Sequence, residues 1–486
     1  MSAVHVELRT GAYADSVTLL QVSRSVAGVA GIAAAQVAMA TPLNLEVLDG
    51  MGFAIPPGAT TNDMVVAIRL ADDASDGTLA DALAEVARAL HGRAPAGPAT
   101  EAAPRTTRAA LRRTPGGLAL VTVPGAHALV EAMDALEAGS DVMVFSDNVP
   151  LDQEIALKAR ASATGLLVMG PDCGTAVVGG VGLGFANACR PGPVGIVAAS
   201  GTGCQQVMAL LDRAGVGVSH ALGVGGRDLS EEVGGRSTLT ALARLDADPG
   251  VELVVLVSKP PSPRVAAAIE EYAATLGTPV ELAFLGAGRP DLTAATESAL
   301  RRLGREVPDW PVHGRAEARP GGGLLRGLFV GGTLCDEAML VAAESLGPVR
   351  SNIPLTPDLA LGPGLTAAAH TMVDFGDDAL TVGRAHPMID PTLRLEHLAR
   401  AAADPATGVL LLDVVLGHGA EPDPAAALAP VIAGAAPPVV VAVVGTAADP
   451  QGLDHQIERL VTAGAEVHVS NAAAARRAVT LAGGAS

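Results

Sequence analysis

Residues 194–214, VGIVAASGTGCQQVMALLDRA, decide the fold. The run 194–199 is apolar or small throughout and has the length of a buried strand. Ser200-Gly201-Thr202-Gly203 then turns the chain, and residues 204–214 carry apolar side chains at helical spacing. A strand, a glycine turn and a helix are the repeating step of a parallel α/β sheet. The glycines let backbone N–H groups approach a ligand closely, and a helix start adds partial positive charge. Phosphate therefore fits here without a charged side chain. An ordinary N-cap by Ser200 or Thr202 explains the same residues without any ligand.

The pattern extends in both directions. Upstream, strands are expected at 118–123, 141–145 and 166–169, with helices at 126–138 and 151–163 between them. Downstream, a buried strand at 251–257 ends at Ser258-Lys259-Pro260. Before all of this, 4–8, 34–39 and 64–70 read as strands, and 15–29 and 79–90 as helices. An internal repeat divides the remainder: LARLDADP at 242–249 and LARAAADP at 398–405 each precede a strand-like run, ELVVLVS and GVLLLDV. VAASGTGCQQVMAL likewise pairs loosely with LFVGGTLCDEAML, so Gly331-Gly332-Thr333 repeats the glycine turn. The expected fold class is α/β. Its expected divisions are a small α/β domain (1–92), a linker (93–116), a Rossmann-like unit (117–190), a flavodoxin-like domain (191–305), a linker (306–326) and a second flavodoxin-like domain (327–486).

Composition bounds the function. The 486 residues are 49% hydrophobic and 17% charged, the balance of a folded chain. A net charge of −19 opposes general nucleic-acid binding, and 2% aromatic residues leave few stacking platforms. Apolar runs such as 438–445 are strand-sized, and the opening MSAVHVELRTG lacks a signal-peptide layout, so a cytoplasmic protein with no membrane span is expected. The cysteines, Cys173, Cys189, Cys204 and Cys335, form no CxxC pair. There is no GxxxxGK[ST] loop, GxSxG elbow or HExxH pair.

Other residues are placed for chemistry. Gly417-His418-Gly419 follows a buried strand, where open α/β sheets bind ligands. His418 suits anion binding or proton transfer, and equally an exposed loop. Lys259, one of only two lysines, ends the equivalent strand and could neutralise an anion or simply be solvated. Gly223-Val224-Gly225-Gly226-Arg227-Asp228 is a glycine-rich turn ending in a charged pair. Asp374, Asp377, His386 and Asp390 offer donors of the kind Mg²⁺ takes. Their spacing matches no metal motif, and no metal site is assigned.

Taken together, these stretches resemble a known family. FSDNVPLDQEIALKARASATGLLVMGPDCGT, GPVGIVAASGTG and ALGVGGRDL resemble the succinyl-CoA synthetase α subunit over residues 117–305. Residues 327–486 resemble the CoA-ligase domain at the end of that enzyme's β subunit. The whole chain resembles the FdrA family, a fusion of these parts behind a distinct N-terminal domain, through FSDNVPL, MGPDCGT, GVGGRDLSEEVGG, VSKPP, VGRAHPMIDPTLR and LLLDVV. The resemblance implies two helix starts that grip a phosphate, Ser200 to Gly203 and a second near Gly417 to Gly419. It also exposes departures. The synthetase's phosphohistidine stretch matches Phe284-Leu285-Gly286-Ala287-Gly288-Arg289, which has no histidine, and a supporting glutamate is replaced by Lys259. The nucleotide-binding ATP-grasp module and the glycine fingerprint of the CoA-binding unit have no recognisable counterpart.

FdrA-family proteins are associated with oxamate carbamoyltransferase. The resemblance thus implies a transferase subunit that phosphorolyses oxalurate or a similar ureido compound to carbamoyl phosphate, in allantoin breakdown. The alternatives are an NDP-forming acyl-CoA synthetase subunit and a non-catalytic scaffold. Lys259, His418 and Arg227 are the expected catalytic residues. Ser200, Gly201, Thr202, Gly203, Gly331, Gly332, Thr333, Gly417 and Gly419 are expected to bind phosphate. Asn148, Asp172, Cys173, Gly225, Gly226, Asp228, Asp377, Arg384 and His386 are expected to bind substrate. Phosphate is the expected co-substrate and CoA the further candidate. The expected partners are a small ureido or acyl compound and two companion proteins, in a homo-oligomer or hetero-complex.

Overall fold

The computed structural model describes residues 3–14, 16–71, 74–75, 77–91, 104–318, 322–381 and 385–484. The chain divides into two compact units, residues 1–103 with 382–385 and residues 104–381 with 386–486.

The first unit contains β1 (Val4–Arg9), α1 (Ser16–Ala27), β2 (Ile32–Met39), α2 (Pro42–Gly50), β3 (Met64–Leu70) and α3 (Thr78–His91). Its sheet is antiparallel in the order β1-β3-β2. Alternation along the central strand β3 builds two small cores: Val66 and Ile68 meet Val22, Val26 and Val86, while Val65 and Ala67 meet Leu48 and Phe53. The helix α2 was not expected. Pro42 at its first turn and the Thr41 hydroxyl capping Asn44 N–H start it locally.

The second unit opens with α4 (Thr107–Leu111), β4 (Ala119–Val121), α5 (Gly125–Glu137), β5 (Val142–Val144), α6 (Leu151–Thr164) and β6 (Val168–Met169). These strands form a parallel sheet in sequence order. Part of the stretch expected as a linker, 93–116, is helical here. Thr106 caps α4, and Arg108 N–H donates to the Asp134 carboxylate of α5; residues 93–103 lie outside the described residues.

Next come β7 (Thr175–Val178), β8 (Val181–Gly184), β9 (Val194–Ala199), α7 (Gly201–Arg213), β10 (Val218–Gly223), α8 (Arg236–Asp246), β11 (Leu253–Ser258), α9 (Pro263–Ala273), β12 (Val280–Phe284) and α10 (Leu292–Arg302). Their sheet runs β12-β11-β9-β10-β7-β8. The hairpin β7–β8 turns at Gly179-Gly180, both at positive φ.

The remaining elements are β13 (Val312–His313), β14 (Leu324–Phe329), α11 (Gly332–Leu346), β15 (Arg350–Ser351), β16 (Thr371–Asp374), α12 (Asp378–Thr381), α13 (Thr392–Ala403), β17 (Thr407–Val415), α14 (Pro424–Gly434), β18 (Val439–Val444), α15 (Leu453–Thr462), β19 (Glu466–His468) and α16 (Asn471–Leu481). The sheet runs β13-β19-β18-β17-β14-β16-β15. Within the second expected linker, β13 pairs antiparallel with β19 and so belongs to this sheet.

The two larger sheets share one plan. Reading β9 and β14 as first strands, the orders β10-β9-β11-β12 and β16-β14-β17-β18-β19 both follow the flavodoxin-like 2-1-3-4 scheme. The repeated LAR…ADP segments fall at the same place in each, from the end of α8 into β11 and from the end of α13 into β17. One apolar core joins the sheets, with Ile196 and Val255 on one side, Val409 and Val440 on the other, and Met208, Leu334 and Met339 between. No helix among the described residues is long and apolar enough to cross a membrane.

Candidate functional site

Each flavodoxin-like sheet has its switch point beside its first strand, where ligands of open α/β sheets bind. β9 delivers Ser200 and α7 to that point, and β14 delivers Gly331 and α11. These helix starts meet. Ser200, extended at φ −167° and 7% exposed, accepts from Gly203 N–H at 2.9 Å and donates to Thr333 Oγ1 at 2.6 Å. Glycine is required at both turns: a Cβ at Gly331 would lie 2.7 Å from Thr202 Oγ1, and one at Gly203 would lie 2.9 Å from Thr333 Cγ2. The direct seam between the helices is thus filled by side chains.

Free donors remain at its margins. The amides of Gly201, Thr202 and Gly332 have no acceptor among the described residues. Gly201 is exposed, and the nearest atom to a Cβ there is Thr175 Oγ1 at 3.6 Å. Asp374 Oδ2 and Lys259 Nζ lie 2.6 and 3.0 Å from where a Cβ on Gly332 would stand, so a carboxyl and an ammonium both lie over the start of α11. Lys259 Nζ is also 3.9 Å from Asp336 Oδ2. Val330 and Gly331 N–H are not available, because both donate to Asp413, itself paired with Arg394.

The second cradle expected at Gly417–Gly419 differs from this arrangement. Gly417 N–H donates to Gln451 Oε1, and His418 N–H donates to Ala186 O. A Cβ on Gly417 would lie 2.8 Å from Ala186 O, and Gly419 packs on Phe185. The amides are committed to holding this loop against the segment after β8, and His418 is exposed beside Gly182. The helix start that meets Ser200 is the one at Gly331–Thr333.

Carboxyls surround Lys259. Asp374 ends β16, 4% exposed, and its Oδ1 accepts from Gly376 N–H at 2.9 Å. Its burial, only partly offset by Lys259, pushes its carboxyl up to about 7. Asp172 stands at φ +57°, reached by solvent yet crowded by protein. Desolvation, with the charges of Asp378 and Asp147, pushes its carboxyl up to about 7 against the pull of Lys259 and Arg227. Burial likewise raises Asp336 to about 6. Burial opposes the charge on Lys259, but Asp336, Asp374 and Asp172 outweigh it and hold the lysine above its ordinary value. A fixed cation beside acids that titrate near neutrality can hold an anion and move a proton.

The remaining expected residues divide between site and scaffold. Arg227 is half exposed; its Nε donates to Glu154 and its Nη2 to Val149 O, each at 2.8 Å. Asn148 is exposed at φ +52° and precedes Val149, whose carbonyl takes this arginine. Gly225, at φ +90°, packs on Pro171 O, while Gly226 borders open space. Asp228 is a correction to the expected substrate group: it is fully buried, pairs with Lys158 at 2.8 Å and accepts from Thr238 N–H and Oγ1 at the start of α8. Cys173 is buried with its Sγ on Thr175 O, and desolvation pushes its thiol up to about 12, which leaves it unreactive. Asp377 accepts from Ala379 N–H at the start of α12. His386 accepts from Met388 N–H, stacks 5.9 Å from Phe185, and burial pushes it down to about 4, so it stays neutral. Arg384 lies outside the described residues. Among the described residues no three or more His, Cys, Asp or Glu side chains gather as metal ligands, Asp374, Asp377, His386 and Asp390 included.

Asp336, Asp378 and Asp147 were not expected at the site. Asp336 follows Cys335 in the glycine-turn repeat, so the alignment of the two copies was the signal that could have found it.

Residues 328–481 match the family model described as CoA-ligase, and residues 1–106 match one described as AllF, heavy metal-associated domain. The chain is 38% identical to the uncharacterized protein YahF of Escherichia coli over 95% of both chains. It is 29% identical to the succinate–CoA ligase [ADP-forming] subunit alpha-2, mitochondrial, of Trichomonas vaginalis, over 31% of this chain and 48% of that one. The chain therefore spans about half the length of that ligase subunit. A dinucleotide-forming acetyl-coenzyme A synthetase 1 from Ca. Korarchaeum cryptofilum, in complex with phosphate and ADP, aligns over 75% of this chain and 84% of its own. Its identity is 18% and its TM-score 0.30.

Proposed function

Since the chain belongs to the family of Escherichia coli YahF and carries a CoA-ligase domain, we propose that it is an acyl-transfer subunit of the acid–CoA ligase type. Phosphate sits at the free starts of α7 and α11, and Lys259 neutralises it. The reaction is the exchange of an acyl group between phosphate and the thiol of CoA. Asp172 or Asp374 takes the thiol proton in one direction and returns it in the other. Arg227 holds the carboxylate of the acyl group, a task its planar fork suits. The observation that carries this reading is the Ser200–Thr333 hydrogen bond, which brings both helix starts together beside Lys259.

The missing histidine at 284–289 favours a second reading. Without that relay, phosphate itself attacks the carbonyl carbon of a ureido acid such as oxalurate. Carbamoyl phosphate and an amide such as oxamate are released, with companion proteins completing the complex.

The test supplies the full chain with labelled phosphate and either an acyl-CoA series starting with succinyl-CoA or a ureido acid. Label trapped as acyl phosphate, and lost in Lys259→Ala, is the expected result. Label in carbamoyl phosphate instead selects the second reading. No label from either series, with no binding of CoA or phosphate by calorimetry, overturns both.

A further inference from the structure

Heavy-metal cations are held by soft donors, thiolates and thioethers above all, and by imidazoles. The N-terminal segment matches a family model described as heavy metal-associated. The segment lacks the thiolates that such a cation takes first. Residues 1–106 contain no cysteine; all four lie at Cys173 or beyond. Of the sulfur donors present, Met64 is sealed in the core at 2% exposure, and Met39 and Met51 pack partly buried against its two halves. Of the imidazoles, His5 is hydrogen-bonded to Glu7 at 3.4 Å.

Two of the harder donors, Glu85 and Asp63, are committed as well. Glu85 is paired with Arg88 and takes the Ser25 hydroxyl. Asp63, 5% exposed, fastens two turns at once. Its Oδ1 accepts from Gly11 N–H at 3.1 Å, in the turn between β1 and α1, and its Oδ2 accepts from Thr60 N–H at 2.9 Å and Thr60 Oγ1 at 2.8 Å. These hydrogen bonds hold the Asp63 carboxyl below its ordinary value. Among the described residues no three His, Cys, Asp or Glu side chains converge on a common point.

We infer that this domain is a metal-independent module whose β1–α1 turn is fastened by the Asp63 carboxylate and not by a bound cation. The test loads the full chain with Zn²⁺ and, under reducing conditions, with Cu⁺, removes free metal, and measures retained metal and the thermal midpoint. The expected result is far less than one equivalent retained and a midpoint unmoved by EDTA. Asp63→Ala is expected to lower the midpoint, with neither metal restoring it. Retention that is lost on Cys189→Ser belongs elsewhere in the chain and agrees with the inference. One equivalent retained, lost on His5→Ala or Met51→Leu, and raising the midpoint when bound, overturns it.

Discussion

Asp374 is caught between burial, which favours its neutral form, and Lys259, which favours its charge. The direction of the resulting pH dependence follows from its raised value. A carboxyl near 3.8 when unfolded and about 7 when folded gives stability that is fully present below pH 4 and is lost as pH rises through 7. At about 1.4 kcal/mol per pKa unit, the whole span is worth roughly 4 kcal/mol at most. Asp374→Asn cannot titrate. Its thermal midpoint is expected to fall less between pH 5 and pH 8 than that of the parent chain, measured by calorimetry across that range. An equal fall in both would mean that the carboxyl is ionised throughout. Lys259 was legible at this scale because lysines are so few, whereas its acidic surroundings were not. Asp172, Asp336 and Asp374 come from three different strand or helix ends, and only the folded switch points bring them to one lysine.

Elements hold the arginine side of the site in place. Lys158 of α6, completely buried, donates at 2.8 Å to Glu154, to Val224 O and to Asp228. Glu154 in turn takes Arg227, and Asp228 caps the start of α8. Lys158→Met leaves two buried carboxylates short of a cation, and breaking a buried pair in this way costs about 3–5 kcal/mol. A clear drop in thermal midpoint is expected, with partial recovery in Lys158→Met combined with Glu154→Gln. No drop would show that these groups carry no net charge interaction. Periodicity located the strand 194–199 and the helix 151–163 to within a residue or so. It missed α2, which rests on a local cap, and the hairpin β7–β8, whose Gly179-Gly180 pair is a turn signal lost in a glycine-rich chain. The linker at 306–326 was read from proline, glycine and charge, but β13 is an edge strand, and edges tolerate that composition.

Across the molecule, the repeated LAR…ADP segments announced two related sheets, and their strand orders agree. What the repeat left open was which loops meet. Gly417–Gly419 and Gly331–Thr333 both follow strands at the same switch point, and the backbone hydrogen bonds of Gly417 and His418 decide between them. An anion held at the starts of α7 and α11 beside Lys259 is the centre of the proposed function. Titrating the full chain with inorganic phosphate in a calorimeter tests this most directly, with Lys259→Ala and Lys259→Arg alongside. The expected result is saturable binding by the parent, weakened about tenfold or more in Lys259→Ala, a loss of at least ~1.4 kcal/mol, and partly kept in Lys259→Arg. Phosphate binding of equal strength in all three chains, or none in the parent, would contradict it.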